Sequence, residues 1–303
     1  MATQLQPLDI GRAPEGGEVG SVQSGLRLAL REFASNRLAL IGFAMLLFFV
    51  LFSWVGPLFY HTDQTTTVLG LANQAPTGSH LLCTDTNGFD VLGRMMKGGQ
   101  AALEIGAFAA LVAIVLGALI GSVAGLVGGL LDGFLMRITD VFLSVPLLFV
   151  VLIMAVRFGA TVLSLSLLIG AFSWQVPARL VRGEVLTLRE RDFVLAARTA
   201  GSSQTRLIWR HLLPNAFGVV IVNVTFQMVD AILLVSYVGF LGFGLHFPNV
   251  DWGDQLSGSI QYLEDGYWWQ IFPVGACIVL TVMALNFIGD ALRDAMDVRL
   301  RRR

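Results

Sequence analysis

Six apolar stretches, at residues 38–60, 101–127, 134–156, 161–176, 217–240 and 271–289, recur along this chain of 303 residues, and they constrain its fold more than any other feature. Crossing a hydrocarbon layer of roughly 30 Å takes about 20 helical residues at about 1.5 Å each. Most of the stretches approach that length; the fourth, which stops at Pro177, is marginal. Charged residues make up 14% of the chain and hydrophobic ones 55%, whereas an ordinary soluble domain carries about 25% charged residues. The expected fold is an all-α integral membrane protein with six transmembrane helices.

Basic residues orient the spans, because Lys and Arg near span ends stay in the cytoplasm. With the N-terminus inside, 17 of the 20 basic residues are cytoplasmic, and only Arg94, Lys97 and Arg157 fall outside. Both termini are then cytoplasmic, in a multi-pass plasma-membrane protein. The chain divides into an N-terminal arm (1–37), a first span (38–60), an external loop (61–100), a core of five spans (101–291) with a cytoplasmic loop at 178–215, and a basic tail (292–303). No signal-peptide arrangement precedes residue 38. Residues 1–23 lack periodicity. At 24–37, Leu26, Leu30 and Phe33 interleave with Arg27, Arg31 and Arg37, which suits either an amphipathic helix on the cytoplasmic leaflet or an extension of the first span.

The cytoplasmic loop carries DFVLAARTAGSSQTRLIWRHLLPN over residues 192–215. It opens as a short helix, breaks at Gly201 and Ser202, resumes, and meets Pro214, where a helix is expected to end. This pattern resembles the EAA loop of ABC importer permeases, with Ala196, Ala197, Gly201, Leu213 and Pro214 at matching positions. Leu195 stands where Glu is usual and His211 where Ile is usual. A second stretch, HLLCTDTNGFDVLGRMMKGG at 80–99, is similar to the LLGTDxxGRDVLSR signature of the peptide and nickel branch. Cys83, Phe89 and Gly93 replace its Gly, Arg and Ser. RITD at 137–140, ARLVRGE at 178–184, GFLGFG at 239–244, DWG at 251–253 and NFIGDALRDAMD at 286–297 follow in that branch's order.

The resemblance implies a permease subunit of an ATP-driven importer of oligopeptides or dipeptides. Its partners would be a second, homologous permease subunit, two cytosolic ATPase subunits, an extracytoplasmic substrate-binding protein and membrane lipid, with no nucleic acid. Asp192, Phe193, Leu195, Ala196, Ala197 and Arg198 would form the coupling helix against an ATPase subunit. Gly201 would turn the chain, Ser202 or Ser203 would cap the next helix, and Leu213 and Pro214 would lead into the fifth span. Arg189, Arg191 and Arg198 would make peripheral ion pairs.

The chain itself shows no ATP chemistry. A Walker A loop needs Gly-Lys followed by Ser or Thr, and the single lysine, Lys97, lies between Met96 and Gly98. ATP and magnesium would sit on the partner ATPases, and this chain would bind no cofactor. His61, His80, His211 and His246 have no metal-ligand spacing, and no GxSxG elbow appears, so no catalytic residues are assigned. Two rival classes stay open. One is an ATP-independent secondary transporter or channel; the other is a membrane-embedded enzyme, which would need a catalytic cluster that the sequence does not show. Within the ABC permeases the cargo can instead be nickel chelates, glutathione or another small solute.

Several features admit a structural or a functional reading. Gly117, Gly121, Gly125 and Gly129 form a strip for close helix packing. Pro146 and Pro273 can kink spans three and six. Asn223, Gln227 and Asp230 share a face of span five and form a candidate translocation pathway, because an ionisable group in hydrocarbon suggests a pathway or a polar partner. Asp140, Asn286, Asp290 and Asp294 are expected to be offset by Arg137 and Arg293. Trp268 and Trp269 suit the external interface, and external acids such as Asp85, Asp90, Asp251, Asp254 and Glu264 can face a binding protein. Cys83 and Cys277, assigned to the exterior and to span six, are not expected to pair.

Overall fold

The computed structural model describes residues 33–301, with side chains through Met296. Most of the amphipathic segment expected at 24–37 lies outside these residues, as do the tail side chains beyond Met296. The described chain is helical, with one isolated bridge between Thr84 and Asp90. The helices are α1 (Arg37–Trp54), α2 (Gly56–Phe59), α3 (Val91–Val127), α4 (Gly129–Ser144), α5 (Leu147–Phe158) and α6 (Val162–Ala171). They continue with α7 (Gln175–Leu188), α8 (Asp192–Thr199), α9 (Gln204–Leu207), α10 (Leu213–Phe240), α11 (Trp252–Ile260) and α12 (Phe272–Arg301). Four helical runs are long and apolar enough to cross a membrane, and α4 with α5 makes a fifth if that bent pair is one span.

The mast of the bundle is α3, whose 37 residues extend about 55 Å at about 1.5 Å per residue. It begins at Val91, inside the segment expected to be loop, because Asp90 caps it by accepting the Gly93 N–H at 2.8 Å. Along α3 run α6 and α7, parallel to it: Gly170 meets Ala109 and Val112, Gly117 meets Trp174 and Ala178, and Gly125 meets Arg182 and Val185. A Cβ on Gly117 would come 2.9 Å from the Ala178 nitrogen, and one on Gly125 3.0 Å from the Arg182 carbonyl oxygen. The small-residue strip therefore works at Gly117, Gly121 and Gly125, where two backbones approach closely. Gly129 does not belong to it. It has open space around it and φ of +59°, and with Gly128 it makes the turn out of α3.

Three proline expectations are corrected. Pro177 does not end a helix; it lies in the first turn of α7, where the missing N–H would have had no intrahelical partner. The fourth apolar stretch therefore continues through a short break into α7. Pro146 does more than kink: it stands between α4 and α5, which diverge by 78°. Residues 129–160 nevertheless travel the length of α3. They leave at Val127, and Ala160 packs in one cluster with Ala101 and Ile105 near the opposite end. Pro273 falls in the first turn of α12 and leaves that helix uninterrupted.

The remaining long helices close the bundle. Antiparallel to α3, α10 places Met228 and Ile232 beside Gly106; α12 sets Gly289 on Thr225 and Phe226 of α10 and places Ala284 and Phe287 beside Gly42 of α1. Large apolar side chains such as Phe43, Phe48, Phe149 and Ile153 stay exposed, as lipid-facing positions do when the solvent is itself apolar. Asp140 pairs with Arg179 of α7, not with the neighbouring Arg137, and Asp132 accepts two hydrogen bonds from Arg182, at 2.5 and 2.7 Å. These acids tie α4 to α7. Cys83 and Cys277 are both buried and unpaired.

Candidate coupling segment and polar sites

Past the C-terminal end of α3 the chain builds a small satellite core. Leu126 of α3, Val181 and Val185 of α7, Val194 of α8, and Leu207 and Leu212 pack together. Val194 is the one fully buried residue of α8. On a helix of eight residues, a neighbour one position away is rotated by about 100°, so burying Val194 turns Phe193 and Leu195 outward; they are 41% and 43% exposed. Asp192, Ala196 and Arg198 are exposed as well, whereas Ala197 is half-buried against the cluster. Asp192 in the first turn and Arg198 in the last complement the helix dipole. The Phe193 ring lies 6.4 Å from that of His211.

Sequence reasoning missed Val194. The available signal was its spacing to Ala197, three residues on and therefore on the same face. Arg189 is also engaged within the chain, donating to the Gly125 carbonyl at 3.1 Å and to Glu190 at 3.0 Å. Arg191 and Arg198 remain exposed.

The turn after α8 follows the sequence closely. Gly201 has φ of +81° with open space around it, so the requirement there is conformational. Ser203, of the two serines considered, caps α9 by accepting the Arg206 N–H at 3.3 Å. Pro214 differs from expectation. The helical run Gln204–Phe240 passes through it, with residues Ile208–Leu212 widened into a π turn. A proline would clash with the carbonyl four residues earlier in a regular helix, and the wider turn relieves this. Asn215 Nδ2 then donates to the His211 carbonyl at 2.6 Å. Leu213 and Pro214 thus open α10, and a continuous helix joins the satellite core to the bundle.

The three polar residues of α10 do not act as one group. Gln227 is buried and donates to the Ser173 carbonyl at 2.7 Å, holding α10 to the break between α6 and α7. Asn223 donates to its own helix, at the Val219 carbonyl, 2.8 Å away. Asp230 is exposed on the surface of this chain and has no hydrogen bond or ion pair among the described residues.

At the opposite end of α3, the motif residues form a hydrogen-bonded cap. Asp85 accepts the Asn87 and Phe89 N–H groups, both at 2.9 Å, around Gly88 with φ of +81°. Asp90 also accepts from the Tyr60 hydroxyl at 2.6 Å and lies 2.9 Å from His80 Nδ1. Phe89 is buried, and the Arg94 guanidinium lies 4.9 Å above its ring. In the DWG stretch, Asp251 caps α11 through the Asp254 N–H at 2.8 Å, and Trp252 Nε1 donates to the Met95 carbonyl at 2.9 Å. Gly239 and Gly244 of GFLGFG leave room for the Asp251 carboxylate. Both motifs therefore serve as helix caps and interhelix fasteners.

Between them lies a cleft of about 130 Å³ lined by Asp85, Arg94, Asp254, Gln255 and Gln270 among others. Burial pushes the Asp85 and Asp254 carboxyls above the ordinary carboxylate range, and Arg94 partly offsets this for both. Among the described residues, no group of three or more His, Cys, Asp or Glu side chains could hold a metal ion.

Comparison with known proteins places this architecture. Residues 113–302 match the family described as binding-protein-dependent transport system inner membrane component, and residues 24–76 match the N-terminal TM domain of oligopeptide transport permease C. The chain is 38% identical over 271 residues to the oligopeptide transport system permease protein OppC of Salmonella typhimurium, covering 89% of each. It is 35% identical over 274 residues to the dipeptide transport system permease protein DppC of Bacillus subtilis, covering 90% of this chain and 86% of the relative. The chain therefore belongs to the binding-protein-dependent transport system inner membrane components, the multi-pass permease subunits of ABC importers.

Proposed function

We propose that this permease carries oligopeptides or dipeptides and that α8 is its coupling helix, seated against a cytosolic ATPase subunit. The observation that carries the reading is the division of α8 into a buried anchor, Val194, and an outward apolar face, Phe193 and Leu195. An exposed apolar patch of this kind on a polar loop suits a partner surface. ATP and magnesium sit on two such partners, a second permease completes the pathway, and an extracytoplasmic binding protein delivers cargo. The oligopeptide and dipeptide permeases among the relatives support the cargo class.

The proposed topology has six crossings with both termini cytoplasmic: α1, α3, α4 with α5, α6 with α7, α10 and α12. The parallel course of α3 and the α6–α7 pair supports it, as does the return of residues 129–160 along α3. Closing of the ATPase pair would push α8, and the continuous run from α9 to α10 would carry that displacement into the bundle. Asp230, with Asn223 on nearby turns, would line the pathway against a transported amine; Gln227 holds the neighbouring helices.

Reconstitution tests this reading. Peptide uptake in proteoliposomes should require the partner permease, the ATPases, ATP and the binding protein. Gly201→Pro and Ala196→Arg should leave the chain inserted while separating ATP hydrolysis from uptake. Flux through liposomes holding this chain alone would contradict the assignment of ATP-driven transport.

A further inference from the structure

The cleft at the Val91 end of α3 contains unused hydrogen-bonding capacity among the described residues, with buried acceptors on two glutamines against one buried donor, Arg94 Nε. Gln255 and Gln270 are 8% and 1% exposed. Both amide nitrogens are engaged: Gln255 Nε2 donates to the Arg94 carbonyl at 2.9 Å, and Gln270 Nε2 donates to Thr84 O and Asn73 Oδ1, each at 2.9 Å. Both amide oxygens are buried without a partner among the described residues. Exchanging O and N in either amide would set an oxygen against a carbonyl, so the orientation is fixed by its surroundings. A buried acceptor without a donor costs about 1–3 kcal/mol, and here two of them line one cleft.

Charge points the same way. Asp85 and Asp254 share a single guanidinium, Arg94, at 3.6 and 3.7 Å. These are ion-pair distances too long for good hydrogen bonds. Two carboxylates against one cation leave one negative charge in excess. The missing complement is thus a compact cation with several N–H donors. The cleft is small, about 130 Å³. That accommodates one side-chain head.

The position identifies the source. From Arg94 to Gly125, where α7 packs above the satellite core, α3 extends more than the roughly 30 Å of a hydrocarbon layer. With α8 cytosolic, the cleft opens on the outer face. We propose that it is a receptor for one lysine ammonium or arginine guanidinium presented by the extracytoplasmic binding protein as it docks. This rests on the assignment of a binding-protein partner made above.

The test uses the assembled importer in lipid nanodiscs, titrated with its peptide-loaded binding protein. Asp254→Asn, at a half-exposed side chain, should weaken binding about fivefold. Asp254→Lys and Asn87→Lys each put a competing cation into the cleft, from α11 and from the exposed loop, and should weaken it about tenfold or more. Gln261→Lys adds a cation at an exposed position outside the cleft and should stay within about twofold. If the wild-type importer does not bind the binding protein, the partner assignment itself fails. If it binds and both lysine variants in the cleft bind as tightly, or if Gln261→Lys weakens binding as much as Asp254→Lys, the receptor role is overturned and water fills the cleft.

Discussion

Val194→Ala isolates the attachment of α8 from its partner-facing surface. The substitution removes two methyl groups from a side chain that is fully buried among Leu126, Val181, Val185, Leu207 and Leu212. At about 0.8 kcal/mol per buried carbon plus a small cavity contribution, the loss is about 2 kcal/mol. An eight-residue helix is too short to stand alone in water, so the loss should appear as local undocking of α8 and not as unfolding of the bundle. Two kcal/mol corresponds to about a 30-fold change in an equilibrium constant. Hydrogen exchange on the importer in nanodiscs should therefore show protection of residues 195–199 falling about 30-fold, with α3 amides between 105 and 120 unchanged. ATP hydrolysed per peptide transported should rise in the same variant. Leu195→Ala is the counterpart: exposed in this chain, it should leave exchange unaltered and weaken ATPase association. Unchanged exchange in Val194→Ala, or an equal loss in Leu195→Ala, would refute the division of α8 into anchor and contact face.

Two further outcomes follow from the packing and from the pathway. Gly121→Val places a side chain against the Ala178 carbonyl and the Arg182 nitrogen and should destabilise by about 3 kcal/mol, seen as a loss of folded yield in detergent. Gly129→Ala meets open space and should cost only about 1 kcal/mol of left-handed strain; similar losses in both would contradict the close-packed strip. Asp230→Asn should leave thermal stability unchanged, since Asp230 has no partner among the described residues, and should reduce uptake of peptides with free amino termini by about tenfold, the scale of one charge-assisted hydrogen bond. Unchanged uptake would remove Asp230 from the pathway.

Much of the architecture was legible because apolar runs and charge segregation are properties of composition along the chain. The α8 turn was legible for a local reason: Gly201 needs its positive φ, and a serine follows at the next cap. What escaped depends on position within a helix or on distant partners. Pro177 and Pro214 read as stops, yet Pro177 falls in the first turn of a helix, where its missing N–H loses nothing, and the π turn before Pro214 gives its ring room inside a continuous run. Gly129 continued a spacing of four but falls just beyond the helix that gives this spacing meaning. Asp140 found Arg179, distant in sequence, in place of the adjacent Arg137. Gln227 and Asp230 share a helical face by spacing, but only Gln227 meets a complementary group, the Ser173 carbonyl that accepts its amide N–H.

The central claim is that the outward face of α8 receives force from an ATPase subunit on the cytoplasmic side, and cysteine chemistry tests it directly. The two native cysteines are buried, and burial raises the Cys83 thiol to about 12, so neither competes for reagent. Ala196→Cys, at an exposed position, should react with a membrane-impermeant maleimide only from the cytoplasmic side. In the assembled importer it should cross-link to the ATPase subunit in a nucleotide-dependent way. Labelling from outside intact cells, or equal labelling in the presence and absence of the ATPases with no cross-link formed, would contradict the account.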